Sequence, residues 1–441
     1  MPEVLPLAAE RIERGLRDAW SLYADLLSAL VRAARWVAVW IRPLIRVGAG
    51  PRPPSRQRVN PSPGSLAPMP SRAIVVGAGI TGAFTALDLA LRGADVVLVE
   101  RGRSPEGATS RIEGVIHGGA RFAVTAPAAA SACKEENPRM LRIARDFLIS
   151  DHGYFLITDA TTDEYMEKFF SAAGRLGIRA VHSDLPRIDG LRPGAVRGAL
   201  ETSDALIDLQ EFLLHLIWRA VEEGVEYINS ALVESAKPVG DHEWELSIRR
   251  GNSSRVLRGA LVLAAGHGIP GFLRGPMGLS PSEIPNLGVA RGSHVLIGLR
   301  TPTVLQILHE PGTGDLFAPF RGGTFVGPTL VPGGDPDSIS SEEISALLSS
   351  ASRVLDVSMD DVIGWTSTGR LIFDPSISSA APDLVADVHG AIIAYSSNMT
   401  CGRRTAEAAA NAASAVLGLR ARGRLDDLVI ERERPTVKSA R

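Results

Sequence analysis

The stretch Ala73-Ile-Val-Val-Gly77-Ala-Gly79-Ile-Thr-Gly82, followed by Asp95-Val-Val-Leu-Val-Glu100, decides the fold. A short apolar run that ends in a glycine turn reads as a buried strand. Phe84, Leu87, Leu89 and Leu91 then predict a helix ending at Gly93, and Asp95 to Val99 reads as a second, parallel strand. A dinucleotide pyrophosphate needs backbone amides at a helix N-terminus with no side chain in the way. Gly77 permits the tight turn, Gly79 lets the backbone approach the phosphates, and Gly82 lets helix pack on strand. Glu100 follows at the spacing of about 20 residues at which an acid accepts from ribose hydroxyls.

That signature leaves FAD and NAD open. The next segment decides between them. Gly107-Ala-Thr109-Ser110-Arg111, then Gly114-Val-Ile-His117-Gly118-Gly119-Ala-Arg121-Phe122, is a second glycine-rich run placed just after the ribose-binding acid. Two-dinucleotide-binding flavoproteins use such a run to pass the backbone along the flavin, which favours FAD.

Here the chain resembles the FAD-dependent glycerol-3-phosphate dehydrogenases, within the wider D-amino-acid-oxidase-like superfamily. Gly107-Ala108-Thr109 and His117 to Phe122 are similar to the family's Gly-Ala-Thr and His-Ser/Gly-Gly-x-Arg-Tyr. Ile207-Asp208-Leu209 resembles its Val-Asp-Pro, Ala265-Gly266 its Ala-Ala-Gly, and Arg291-Gly292-Ser293-His294 its Lys-Gly-Ser-His. Ser367-Thr368-Gly369-Arg370 is similar to Gly-Val-Arg-Pro, and Ser397 to Arg403 to Gly-Lys-Leu-Thr-Thr-Tyr-Arg. The resemblance spans about residues 71–420; its early motifs are specific and its late ones loose.

It implies an α/β fold: a Rossmann-like two-dinucleotide-binding FAD domain, a mainly antiparallel-sheet substrate domain, and an N-terminal helix. FAD contacts are expected from Gly77, Gly79, Ile80, Thr81, Gly82, Glu100, Arg101, Thr109, Ser110, Gly118, Gly119, Val233, Ala265, Gly266, Gly369, Asn398, Met399 and Thr400. Arg121, Arg370 and Arg403 are candidate clamps for an anionic substrate, because guanidinium binds phosphate or carboxylate bidentately. Oxidising a secondary alcohol requires a base, and histidine suits that role near neutral pH. His294 is the first candidate and His117 the second; His267 is expected merely to lie near the flavin.

Two positions depart from the family. Asn398 replaces the lysine that helps hold the substrate phosphate, and Phe122 replaces the tyrosine after the matched arginine. The implied activity is oxidation of glycerol 3-phosphate, with electrons passed to a quinone or a redox partner subunit. An oxidase or dehydrogenase for a D-amino acid or 2-hydroxy acid stays open, as does a non-catalytic flavin electron-transfer subunit.

Composition sets the remaining bounds. The chain has 441 residues, 45% apolar and 22% charged, with net charge -2, so no nucleic-acid partner is expected. Only Lys134, Lys168, Lys237 and Lys438 are lysine among 47 basic residues, a bias that fits genome composition or life at high temperature. Cys133 and Cys401 stand far apart outside any CxxC pattern, which argues against a disulfide framework, a metal site or a cysteine-ligated cluster, and fits a cytoplasmic location. Any iron–sulfur relay is then expected on a separate subunit.

Residues 1–47 read as an amphipathic helical extension and 48–70 as a Pro-rich linker. Arg32 and Arg35 interrupt the apolar part, so the helix is expected at a partner or peripherally on the inner face of the cell membrane rather than across it. Met69, just before the first strand, leaves open a later start. The FAD domain is expected at 71–150, 200–275 and 356–425, the substrate domain at 151–199 and 276–355, and a tail at 426–441.

Overall fold

A computed structural model describes residues 72–284, 286–372, 383–419, 425 and 427–432. The expected helix at 1–47, the linker at 48–70 and most of the tail lie outside the described residues.

Strand β1 (Arg72–Val76) lies between β2 (Asp95–Val99) and strand Ser253–Leu263, parallel to both. Its residues alternate between two cores. Ala73 and Val75 pack under helix α1 (Ile80–Leu91), while Ile74 and Val76 meet Trp244, Leu246 and Leu261 on the opposite face. Such two-sided burial is why the run is apolar throughout rather than alternating. The eight-stranded sheet runs Leu232–Gly240, Glu243–Arg250, Ser253–Leu263, β1, β2, Glu226–Ile228, with Ala391–Tyr395 beside Ser253–Leu263 and Leu384–Val388 beyond it. Helices Leu209–Glu222 and Gly402–Val416 complete the layer around α1.

The second sheet has nine strands and is antiparallel except where Val304–Ile307 runs parallel to Gly153–Ile157. The expected α/β architecture with its antiparallel partner sheet is therefore observed. Strand pairing differs from the expected division in two places. Val362–Ile372, assigned from sequence to the FAD part, pairs along the whole of Gly288–Ile297 and belongs to the substrate sheet. Gly198–Thr202 likewise pairs with Gly153–Ile157 there and so crosses the expected boundary at residue 199.

Local differences have local causes. Glu226–Ile228 and Leu232–Gly240 are separate strands, divided by a turn in which Ser230 takes φ 52°. Two further helices are Pro127–Ile143 and Asp163–Leu176. Pro127–Ile143 contains Pro138, an unfavourable interior residue, yet buries Ala130, Cys133, Asn137 and Met140 at helical spacing. Asp163–Leu176 carries ordinary end signals: Thr162 accepts from the Tyr165 amide at 3.1 Å, and Gly177 closes the helix at φ 61°.

The turn between β1 and α1 is as tight as the sequence demands. Gly77 has φ 101°, and a Cβ on Gly82 would stand 1.8 Å from the Gly77 carbonyl oxygen. Gly82→Ala must separate helix from turn, and we expect it to lower stability by about 1–3 kcal/mol in denaturant unfolding; an unchanged midpoint would contradict this packing.

Candidate active site

The β1–α1 turn is held by side chains from two other segments. Thr109, from the second glycine run, accepts from the Ile80 amide at 3.1 Å, tying that run to the start of α1. Glu100 accepts from the Ala78 and Gly102 amides, both at 2.9 Å. Burial pushes its carboxyl above the usual range despite these donors. It thus braces the glycine turn as well as standing where a ribose hydroxyl acceptor is needed. Ile80 and Thr81 open α1, Ser110 donates to the Pro105 carbonyl at 2.5 Å, and Arg101 lies close enough to bear on the His267 ring. Val233 is buried in the same half of the molecule.

The second run is locked in place by distant residues. The His117 amide donates to Thr400 Oγ1 at 2.9 Å and the Gly118 amide to Asp204 Oδ1 at 2.5 Å. Gly119, at φ 97°, lies where a Cβ would stand 2.4 Å from the Ala130 carbonyl oxygen, so this glycine is dictated by chain packing. Ala265 and Gly266 follow the strand Ser253–Leu263 and open the turn carrying His267. A Cβ on Gly369 would meet the His267 ring at 2.4 Å. Burial, then Arg101, lowers the His267 pKa.

His117 and His294 are both buried, and each faces a carboxylate that sequence reasoning missed. His294 Nε2 lies 3.3 Å from Glu113 Oε2, and His117 Nδ1 lies 3.6 Å from Asp204 Oδ2. Burial opposes the charge on Glu113, but the His294 ring outweighs it and holds the carboxyl down to about 2, with a smaller pull from His117. Burial also opposes Asp204, which His117, the Gly118 amide and Gln306 together keep below the usual range. Glu113 Oε2, His117 Nδ1 and both His294 nitrogens are buried without a hydrogen-bond partner. Buried polar atoms seldom go unsatisfied, so this group marks a place where a ligand is expected. The signal available in the sequence was Glu113 lying four residues before His117; Asp204 carried none.

The arginines do not converge. Arg121 donates to Asp315 at 2.7 Å and to Gln306 at 3.2 Å, and Gln306 in turn donates to Asp204. Arg403 is 2% exposed and makes a bidentate pair with Glu136, at 2.7 and 2.9 Å, plus a bond to Glu407 at 3.0 Å. Its expected place in the substrate clamp is therefore taken by a structural ion pair. Arg370 is half-buried and, among the described residues, has no carboxylate partner.

The departures are equally concrete. Asn398 Oδ1 accepts from the Cys401 amide at 3.1 Å, so Asn398 caps the turn ahead of the last helix. Met399 and Thr400 are buried beside it. Phe122 presents its ring edge to His117, with centroids 5.1 Å apart. The two cysteines, remote in sequence, are in contact: their Sγ atoms lie 3.9 Å apart and both are buried as thiols. Among the described residues no acidic or thiol cluster suits a metal, and no helix is long and apolar enough to cross a membrane.

Glycine-built turn, buried acid, second glycine run and orphaned polar atoms fit a flavin dinucleotide, and together they define a flavin-dependent oxidoreductase. The chain belongs to the DAO family of FAD-dependent oxidoreductases, whose model matches residues 72–412. It is 28% identical over 270 residues to one component of the anaerobic glycerol-3-phosphate dehydrogenase of Haemophilus influenzae, covering 58% of this chain and 46% of that one. The like-named component from Haloferax volcanii is 26% identical over 306 residues, covering 65% and 51%. The chain thus spans about half the length of these curated relatives. The glycerol-3-phosphate dehydrogenase of Bacillus halodurans complexed with FAD superposes with TM-score 0.60 at 18% identity, covering 81% of this chain and 67% of that one, a likeness of fold.

Arg403→Ala leaves buried Glu136 with only the partly exposed Arg139, at 3.0 Å, as its ionic partner. We expect a stability loss of about 2–3 kcal/mol with substrate affinity little changed; weakened substrate binding in a fully stable protein would return Arg403 to the clamp.

Proposed function

We propose that this FAD-dependent oxidoreductase oxidises glycerol 3-phosphate to dihydroxyacetone phosphate and hands the electrons to a quinone or a redox partner subunit. The observation that carries the reading is the pair of buried histidines, each facing an ionised carboxylate, beside the second glycine run. Secondary-alcohol oxidation needs a group that takes the hydroxyl proton while hydride leaves the same carbon. FAD, when bound, supplies the hydride acceptor. His294 or His117 takes the proton, and the adjacent carboxylate stabilises the imidazolium that results. Arg370 holds the substrate anion. The curated relatives, named as components of anaerobic glycerol-3-phosphate dehydrogenases, support both the substrate and an assembly with partner subunits.

Specific observations favour a second reading, oxidation of a D-amino acid or 2-hydroxy acid. Arg403 is committed to Glu136, Arg121 to Asp315, and Asn398 replaces a cation, so the site offers less positive charge than a dianionic phosphate prefers. A single carboxylate needs only one guanidinium.

Anaerobic addition of glycerol 3-phosphate to the purified yellow protein is expected to bleach the flavin. Bleaching by carboxylate substrates alone transfers the conclusion to the second reading, and bleaching by neither class removes both.

A further inference from the structure

The described surface and interior offer a thiol pair, a cleft of about 280 Å³ beside His267 and Arg274, and the Glu113 carboxylate. Of these, Glu113 leads furthest. We propose that Glu113 is a positioning residue that holds His294 with its proton on Nε2, leaving Nδ1 as the atom that takes the substrate proton. This deepens the reading above and rests on it for the identity of the base.

The ring is oriented from two sides. The Gly327 Cβ position lies 2.2 Å from His294 Cδ2, 2.7 Å from Cγ and 3.0 Å from Nε2, so no side chain larger than hydrogen fits beneath that edge. Phe325 lies at a tilt with ring centroids 5.8 Å apart. The Glu113 carboxylate then meets Nε2 at 3.3 Å, which leaves Nδ1 on the edge away from Gly327, buried and unpartnered. Hydrogen bonds at reacting centres are often long before substrate arrives and tighten afterwards. A carboxylate is acceptor only, so a neutral ring facing it carries its proton on Nε2 and a lone pair on Nδ1. When Nδ1 takes a proton from the substrate hydroxyl, the carboxylate faces the new cation; the proton moves from oxygen to nitrogen and Glu113 stays ionised throughout.

The charged and titratable groups around the pair are Glu113, His117 on the second glycine run, and Asp204 beyond His117. The low Glu113 pKa agrees with a carboxylate that stays charged across the working range. Removing it takes away stabilisation of the cationic ring, so the acidic limb of the pH profile moves to lower pH.

The test uses flavin-loaded protein and two measurements. Nitrogen NMR of isotope-labelled histidine, with His294 assigned by its loss in His294→Asn, reads the tautomer without any substrate. We expect Nε2–H in the wild type and in Glu113→Asp, and a mixture of tautomers in Glu113→Gln. Anaerobic flavin reduction should slow by about 10²-fold in Glu113→Gln, with the acidic limb displaced downward, half-saturating substrate unchanged, and part of the rate restored in Glu113→Asp. An Nδ1–H tautomer in the wild type, or a Glu113→Gln profile that keeps its shape and rate, would overturn the proposal. Nε2–H with no reduction by any substrate class would defeat the oxidation reading while the Glu113–His294 pairing stands.

Discussion

The constraint on which the rest depends is the approach of Gly82 to the Gly77 carbonyl. It lets α1 begin directly over the end of β1, which places a helix N-terminus, a ready anion site, at the glycine turn. From there Thr109 ties the second glycine run to Ile80, and Thr400 and Asp204 tie the same run to the last helix and to the substrate sheet. A cradle of backbone amides is thereby joined, through three side-chain bonds, to the place where the histidines stand.

Charge in this region is balanced rather than accumulated. Asp204 accepts from Gln306, Gln306 accepts from Arg121, and Arg121 donates to Asp315, so a buried chain of alternating donors and acceptors runs from the His117 side into the substrate sheet. Burial of ions is tolerated only where partners satisfy them. The same economy explains Arg403, whose two bonds to Glu136 fasten helix Gly402–Val416 to helix Pro127–Ile143 while Glu407 holds the guanidinium within its own helix. Arg370 stands outside these pairs, and atoms of Glu113, His117 and His294 are buried without partners.

The dinucleotide half was legible because its requirements are local. Glycines, flanking strands and an acid at fixed spacing are read from one continuous stretch. The proton-handling half was less legible because its partners are remote. Asp204 meets His117 only after the strand Ala205–Ile207 pairs with Val115–Ile116, and no spacing announces that. Arg403 was misplaced for a related reason: motif matching located it beside the flavin turn, but the buried Glu136 that claims it lies 267 residues away on helix Pro127–Ile143. The strand Val362–Ile372 was assigned to the wrong sheet because pairing with Gly288–Ile297 is a long-range choice that local pattern does not encode.

The central claim is that one glycine cradle fixes the dinucleotide so that its reactive ring lies against the histidine–carboxylate group. A crystal structure of the FAD-bound protein tests it most directly. The account predicts pyrophosphate at the start of α1, over Gly79 and Thr81, and the flavin ring between the His117–Gly119 run and the Asn398–Thr400 turn, facing His294. A flavin ring seated instead in the cleft beside His267 and Arg274, at the other end of strand Gly288–Ile297, would contradict it.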